Sequence, residues 1–191
     1  MLFRSEVAEH FDWVHSIDRL KIAQRLSDQR PAHLPPLQVC LQVNISGQAS
    51  KSGVAPQEAL ALAQAVNALP RLRLRGLMSI PEPADDEADR RAPHRALREL
   101  RDALQRADPG LDLPVLSMGM SDDLEAAIAE GATLVRIGTG NMIAADVMTV
   151  CVDIHPAVVQ KLSDRGSAQS QGIVTDVGAF LGALAEGLGV R

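Results

Sequence analysis

The sequence predicts an α/β fold in which parallel strands alternate with helices, and two observations carry that prediction. Short apolar runs alternate with longer stretches of helical periodicity, the βαβα order that gives parallel strands and right-handed crossovers. Two successive apolar runs, Val115–Leu116 and Thr133–Ile137, also end in small polar loops: Ser117-Met118-Gly119-Met120-Ser121 and Gly138-Thr139-Gly140. In an α/β barrel such loops lie side by side at the C-terminal face, where phosphate-bearing ligands bind.

The elements follow in order. Residues 6–13 read as the end of a helix that leads into a strand at Trp13–Ile17, and Asp18 is the expected N-cap of a helix over Arg19–Leu26. Pro31, Pro35 and Pro36 make the next segment a loop. Leu37–Ile45 alternates and then runs apolar, as a buried parallel strand does. Pro56 opens a helix to about Leu69, with Ala59, Leu62, Ala63 and Val66 on one face. Leu72–Ile80 is a strand, and the alternation of Arg71, Arg73 and Arg75 with Leu72 and Leu74 gives it one solvated face. Pro81–Asp89 reads as an acidic loop, and Ala92–Arg106 as a helix facing inward with Leu97, Leu100 and Leu104. After Val115–Leu116, Asp122 and Asp123 open a helix over 122–130 that closes at Gly131. Beyond the run ending at Ile137, Val147–Ile154 reads as a new strand ending in Asp153, followed by a helix from Pro156 to Leu162. A short run at Ile173–Val174 and a last helix over Val177–Leu188 complete the chain.

Composition narrows the function classes. Nineteen Lys and Arg against 24 Asp and Glu leave a net charge of -5, against a nucleic-acid surface. Aromatics are limited to Phe3, Phe11, Trp13 and Phe180, with no Tyr, so the core must be built from Leu, Val, Ile, Ala and Met. Cys40 and Cys151 have neither metal nor redox spacing, which fits a reducing, cytoplasmic setting. No run approaches the ~18 apolar residues of a membrane helix, and the N-terminus lacks the apolar core of a signal peptide.

Phosphate chemistry concentrates in the two loops. Ser121 can cap the following helix and hold an anion at once. Gly138 and Thr139 offer backbone N–H groups, and Arg136 adds a cation nearby. No metal site is expected: Asp122-Asp123 suits a helix N-terminus, Asp85-Asp86-Glu87 a solvated loop, and the histidines are scattered. Gly138-x-Gly140 has Ile143 where a dinucleotide fingerprint needs its third glycine, which disfavours nucleotide binding.

The run Met118-Gly119-Met120-Ser121, with Asp123 and Ala127-Ile128 behind it and Val135-Arg136-Ile137-Gly138-Thr139 following, resembles the pyridoxal-phosphate homeostasis proteins. These are single-domain barrels related to the N-terminal domain of alanine racemase. The likeness extends upstream through His15-Ser16-Ile17-Asp18-Arg19, through Val43-Asn44-Ile45-Ser46 with Ser50-Lys51-Ser52-Gly53, and through Arg75 to Pro81. It covers roughly residues 6–140.

The resemblance implies a partial TIM-type (β/α) barrel of about five of the eight parallel strands a closed barrel needs, plus a short α/β tail. Residues 6–145 would be the C-terminal portion of the barrel, and 146–191 a foreign or divergent tail. That tail faintly resembles lysine–oxoglutarate reductase/saccharopine dehydrogenase-like proteins. Residues 1–5 would be non-native, because Leu2-Phe3-Arg4-Ser5 matches what a common sequencing adapter encodes. Open strand edges imply a partner chain, a rearranged sheet or poor folding, and self-association is the expected hazard.

For the site, the resemblance implies pyridoxal 5'-phosphate as the ligand. Ser121, Gly138 and Thr139 would hold its phosphate. Arg136 would stand beside the pyridine nitrogen and keep it unprotonated. Asn44, Met78 and Met120 would line the ring mouth, although core packing explains Met78 equally well. Lys51 could reach a phosphate or carboxylate, but a solvated loop lysine is the commoner case. The family's Schiff-base lysine lies in a first strand that none of Lys21, Lys51 or Lys161 matches. The implied function is non-catalytic pyridoxal-phosphate binding and homeostasis, here weak and non-covalent. The alternatives are a fragment of a racemase-type enzyme, which needs a Lys base and usually a Tyr, or a nucleotide-binding module formed by the tail.

Overall fold

The computed structural model describes residues 3–48, 51–120, 122–137 and 150–153. The chain divides after Ile154, and the second unit, with the tail elements expected there, lies outside the described residues. Within the first unit the order is α1 (Phe3–His10), β1 (Trp13–Ile17), α2 (Leu20–Gln29), β2 (Leu37–Gln42), a 3₁₀ turn (Pro56–Glu58) and α3 (Ala59–Asn67). Then come β3 (Leu72–Met78), α4 (Glu87–Ala107), β4 (Val115–Ser117), α5 (Leu124–Ala129), β5 (Leu134–Ile137) and β6 (Val150–Asp153).

The six strands form one sheet in sequence order, with β1 to β5 parallel. This is the expected half-barrel of five parallel strands. Each crossover steps the same way, so right-handed connections put the helices on one face. That face is apolar. Val39, Leu41, Leu72, Leu74, Leu77, Leu116 and Val135 of the strands are buried, as are Ala23, Leu26, Ala63, Val66, Leu97 and Leu104 of the helices. Each large aliphatic side chain so buried contributes ~1.5–3 kcal/mol. The opposite, inner face is more open: Trp13, His15, Arg75 and Arg136 are only partly covered.

Close strand approach explains one glycine. A Cβ on Gly76 would lie 1.8 Å from the Val115 carbonyl oxygen, so β3 and β4 can meet there only if the side chain is absent. A buried arginine closes the other end of the sheet. Arg30 is 1% exposed, and its guanidinium donates to the carbonyls of Ala8, Phe11 and Pro35, tying the α1–β1 link to the loop before β2.

Several expectations are corrected. Asp18 is not the cap of α2: the preceding residue is Arg19, which makes no capping bond, and the Asp18 carboxylate takes the Arg19 guanidinium at 2.8 Å. The acidic segment does not stay a loop. The Asp86 side chain accepts the Ala88 N–H at 2.8 Å, and α4 starts at Glu87, upstream of Pro93. A real N-cap and acidic residues in the first turn outweigh the one backbone bond that Pro93 cannot make. The helix expected over 122–130 is shorter, Leu124–Ala129, because Asp123 turns its carboxylate away from a capping role. β6 runs antiparallel to β5, pairing Leu134 with Asp153 and Ile137 with Val150. The sheet edge expected to lie open beyond β5 is therefore covered by the chain itself, whereas β1 has no outer strand partner among the described residues. No helix among the described residues is long and apolar enough to cross a membrane.

Candidate functional site

The C-terminal ends of β3, β4 and β5 converge on one side chain, Arg136. Parallel register sets Met78 beside Ser117 and Ser117 beside Leu134, and Arg136, two residues on, shares the inner face. Its Nη1 donates to the Ser117 carbonyl at 3.1 Å and to Ser117 Oγ at 2.9 Å, while Nη2 donates to the Ser79 carbonyl at 2.8 Å. The Arg136 backbone N–H donates to the Gly119 carbonyl at 3.0 Å. The planar, permanently charged fork is thus fixed across three strand ends.

His15 extends this network from β1. Its Nδ1 lies 3.0 Å from Ser117 Oγ. The Ser117 oxygen accepts from Arg136 and keeps both a hydroxyl proton and a second lone pair, so the bond to Nδ1 runs in the direction that the imidazole tautomer sets. Burial, and then the Arg136 charge, push the His15 pKa below 6.5, which favours the neutral imidazole. Cys40 lies under the same face. Burial raises its thiol to about 12 against the opposing fields of Arg75 and Arg136, leaving an inert thiol.

The remaining sequence candidates divide. Asn44 follows β2, and its Nδ2 donates to the carbonyls of Gln48 (2.7 Å) and Lys51 (3.2 Å), so its amide mainly holds its own loop. Met78 is 4% exposed at the end of β3, whereas Met120 is 45% exposed in the loop after β4. Lys51 pairs with Glu82 at 3.0 Å, linking the loops after β2 and β3. Ser121, Gly138 and Thr139 lie outside the described residues. The ordinary alternative for Arg136, a surface ion pair with Glu130 or Asp122, is not seen among the described residues. Glu130 is 1% exposed and held by Arg91, Arg95 and Arg98 of α4 at 2.8–3.1 Å. Burial pushes the Glu130 pKa up, but hydrogen bonds from Arg95 and Arg91 and their charges outweigh it, and the net shift is downward.

The loop after β4 has its own support. Gly119 adopts φ +96, and a Cβ there would lie 2.5 Å from Ala127 Cβ, so the turn needs glycine both conformationally and sterically. Asp123 Oδ1 accepts the Met120 N–H, and Asp123 Oδ2 lies 3.0 Å from Nε2 of the wholly buried His94. Sequence reasoning missed His15, Ser117, Ser79 and His94. The available signal was the position of His15 two residues after Trp13 on one strand face; nothing local marked His94, which sits among charged helix residues.

Whether the mouth fits a phosphorylated pyridine can be asked of its unmet polar atoms. Asn44 Oδ1 and Ser79 Oγ are buried without a hydrogen-bond partner, and the Arg136 guanidinium reaches the Ser79 carbonyl from β5. Such a set suits a polar ligand that offers a donor to the amide oxygen and an acceptor to the hydroxyl and the cation. Among the described residues no group of three or more His, Cys, Asp or Glu could hold a metal ion.

The family model for the alanine racemase N-terminal domain matches residues 4–144. The chain belongs to that family. Within it, the chain is 69% identical over 133 residues to the pyridoxal phosphate homeostasis protein of Pseudomonas aeruginosa, and 56% identical to that of Escherichia coli K12. Each match covers 70% of this chain and 56% of the relative, so the chain spans little more than half the length of these curated relatives. Two solved structures of PipY from Synechococcus elongatus, one without PLP and one with PLP bound, superpose with TM-scores of 0.65 and 0.64. They are 35% and 34% identical, and each match covers 70% of this chain and 62% of PipY. A second family model, the Rossmann-fold C-terminal part of arginine dihydrolase ArgZ-like proteins, matches residues 118–184 and overlaps the end of the first.

Proposed function

We propose that this member of the alanine racemase N-terminal domain family binds pyridoxal 5'-phosphate reversibly and serves cofactor homeostasis rather than turnover. The observation that carries the reading is the Arg136 fork, fixed by the Ser79 carbonyl and by the carbonyl and hydroxyl of Ser117 at the C-terminal ends of three adjacent strands. Relatives named for pyridoxal phosphate homeostasis and a related structure with PLP bound support it. When bound, the cofactor supplies an electron-withdrawing pyridine ring and an aldehyde. Arg136 would face the pyridine nitrogen and keep it unprotonated, which weakens the ring as an electron sink and favours holding over catalysis. The loop from Gly119 to Asp123, with Ser121 in it, would hold the phosphate together with Gly138 and Thr139. Asn44 and Met120 would border the ring, with Met78 beneath.

The contacts that residues 1–191 offer the cofactor are polar, so the holding proposed for them is non-covalent. The test is a titration of the full chain with pyridoxal 5'-phosphate, followed by absorbance, with borohydride added at saturation. A saturable spectral change that dialysis reverses agrees with the proposal. A borohydride-fixed adduct on the chain, or turnover of an amino acid, counts against it. The Rossmann-type match over 118–184 supports a second reading, nucleotide binding by the tail, which NAD-dependent thermal stabilisation would reveal.

A further inference from the structure

His94 is a buried residue with an unusual balance of costs. It lies in α4, is 0% exposed, and makes one hydrogen bond, from Nε2 to Asp123 Oδ2 at 3.0 Å. Its Nδ1 is buried and has no partner. An imidazole with half its hydrogen-bonding capacity idle costs stability that an apolar side chain of similar volume would avoid. What histidine supplies at this position is the bond to Asp123.

That bond reaches the loop. The other Asp123 oxygen, Oδ1, accepts the Met120 N–H, and the Asp123 N–H donates to the Met120 carbonyl at 3.3 Å. The Asp123 carbonyl accepts the Ala127 N–H at 2.9 Å, which starts α5. The Asp123 carboxylate thus spans a core imidazole and the loop backbone. One residue earlier, Gly119 packs on Ala127 and gives its carbonyl to the Arg136 N–H at 3.0 Å. The loop is therefore tied on one side to Arg136 and on the other, through Asp123, to His94.

We propose that His94 is a positioning residue for the phosphate end of the site. Acting through Asp123, it fixes the backbone around Met120 so that the loop meets a phosphate monoester in one geometry. It selects for the phosphorylated ligand without touching it. This inference rests on the pyridoxal-phosphate reading above, and its test separates the two.

Three variants are compared in the full chain: His94→Leu, which fills the space without the bond; His94→Gln, whose amide nitrogen can occupy the Nε2 position; and Asp123→Ala, at a partly exposed site. The first readout needs no ligand and is hydrogen exchange at the Met120 amide. The expected result is faster exchange in His94→Leu and Asp123→Ala, with near-native exchange in His94→Gln. The second readout is affinity for pyridoxal 5'-phosphate against pyridoxal, with inorganic phosphate as competitor. The phosphorylated form should lose about tenfold in His94→Leu and Asp123→Ala, with pyridoxal unchanged and His94→Gln close to wild type. If His94→Leu does not fold, His94→Met, which fills the space flexibly and likewise cannot donate to Asp123, carries the same comparison. Unchanged Met120 exchange in the bond-breaking variants overturns the positioning role. Equal losses for pyridoxal and its phosphate, or none for either, overturn the link to phosphate. If the wild-type chain binds neither pyridoxal 5'-phosphate nor inorganic phosphate, the functional reading fails and takes the phosphate half of the inference with it. The exchange data would still decide whether His94 orders the loop.

Discussion

The two faces of the sheet differ in kind. The helix-covered face is aliphatic, and its strand residues Val39, Leu41, Leu72, Leu74, Leu77 and Leu116 are buried. The inner face and its C-terminal rim carry the partly open Trp13, His15, Arg75 and Arg136, with a buried Ser117 that hydrogen-bonds to both His15 and Arg136. One face supplies stability through area removed from water; the other holds a fixed cation and unmet polar atoms, which cost stability and suit a ligand. Stability and binding should therefore separate under mutation.

The largest effect belongs to the packed side. Gly76→Ala places a methyl against the Val115 backbone and should cost about 3 kcal/mol or more, or abolish the cooperative melt; an unchanged melting curve by circular dichroism would refute the close approach. Leu97→Ala, in the wholly buried helix layer, should cost about 2–5 kcal/mol in denaturant titration while pyridoxal-phosphate affinity at native conditions stays within about twofold. Arg136→Ala should reverse the pattern, losing about tenfold or more in affinity with a smaller stability loss than either core change. If Arg136→Ala melts as early as Gly76→Ala, the arginine is chiefly structural and the distinction between the faces weakens.

The pH dependence sharpens the comparison further. The His15 pKa is lowered from 6.5 by burial and then by Arg136, so the unfolded chain binds this proton more readily than the folded one. Its contribution is complete above pH 6.5 and is lost as pH falls from there through the folded-state pKa. His15→Asn should flatten that segment of the stability–pH curve relative to wild type. Asp123 and Glu130, both lowered below ordinary carboxylate values (3.8 and 4.5), contribute stability above those values that is lost as pH falls below them. The smallest effect is expected at Lys51→Ala. Its pair with Glu82 is solvent-exposed, so stability should move by less than about 0.5 kcal/mol.

The packed face was legible in the sequence because apolar periodicity is a local signal. Trp13–Ile17 was legible with the bounds the structure gives and β3 to within two residues at its end, whereas α3 starts three residues after the expected Pro56, where a 3₁₀ turn comes first. The misses have physical causes. Asp86 and Asp18 are both acidic residues placed to cap a helix, yet only Asp86 does so, because the neighbouring Arg19 takes Asp18. Two prolines and an acidic run hid the first turns of α4. The antiparallel β6 depends on long-range pairing that no window of sequence carries. At the site, Arg136 was legible through its motif. His15, Ser79 and Ser117 were not, because they come from three strands and only the sheet brings them together. His94 was the least legible, since its partner Asp123 lies 29 residues away and reads as an ordinary helix-start acid.

The most direct test of a ligand site on the inner rim is a joint thermal-shift and absorbance titration with pyridoxal 5'-phosphate, comparing wild type, Ser121→Ala and Arg136→Ala. The account predicts a cooperative melt raised by the cofactor in wild type, a reversible spectral change, and both responses blunted in each variant. A cofactor response equal in all three would contradict it, as would a folded wild-type chain that pyridoxal 5'-phosphate leaves unmoved.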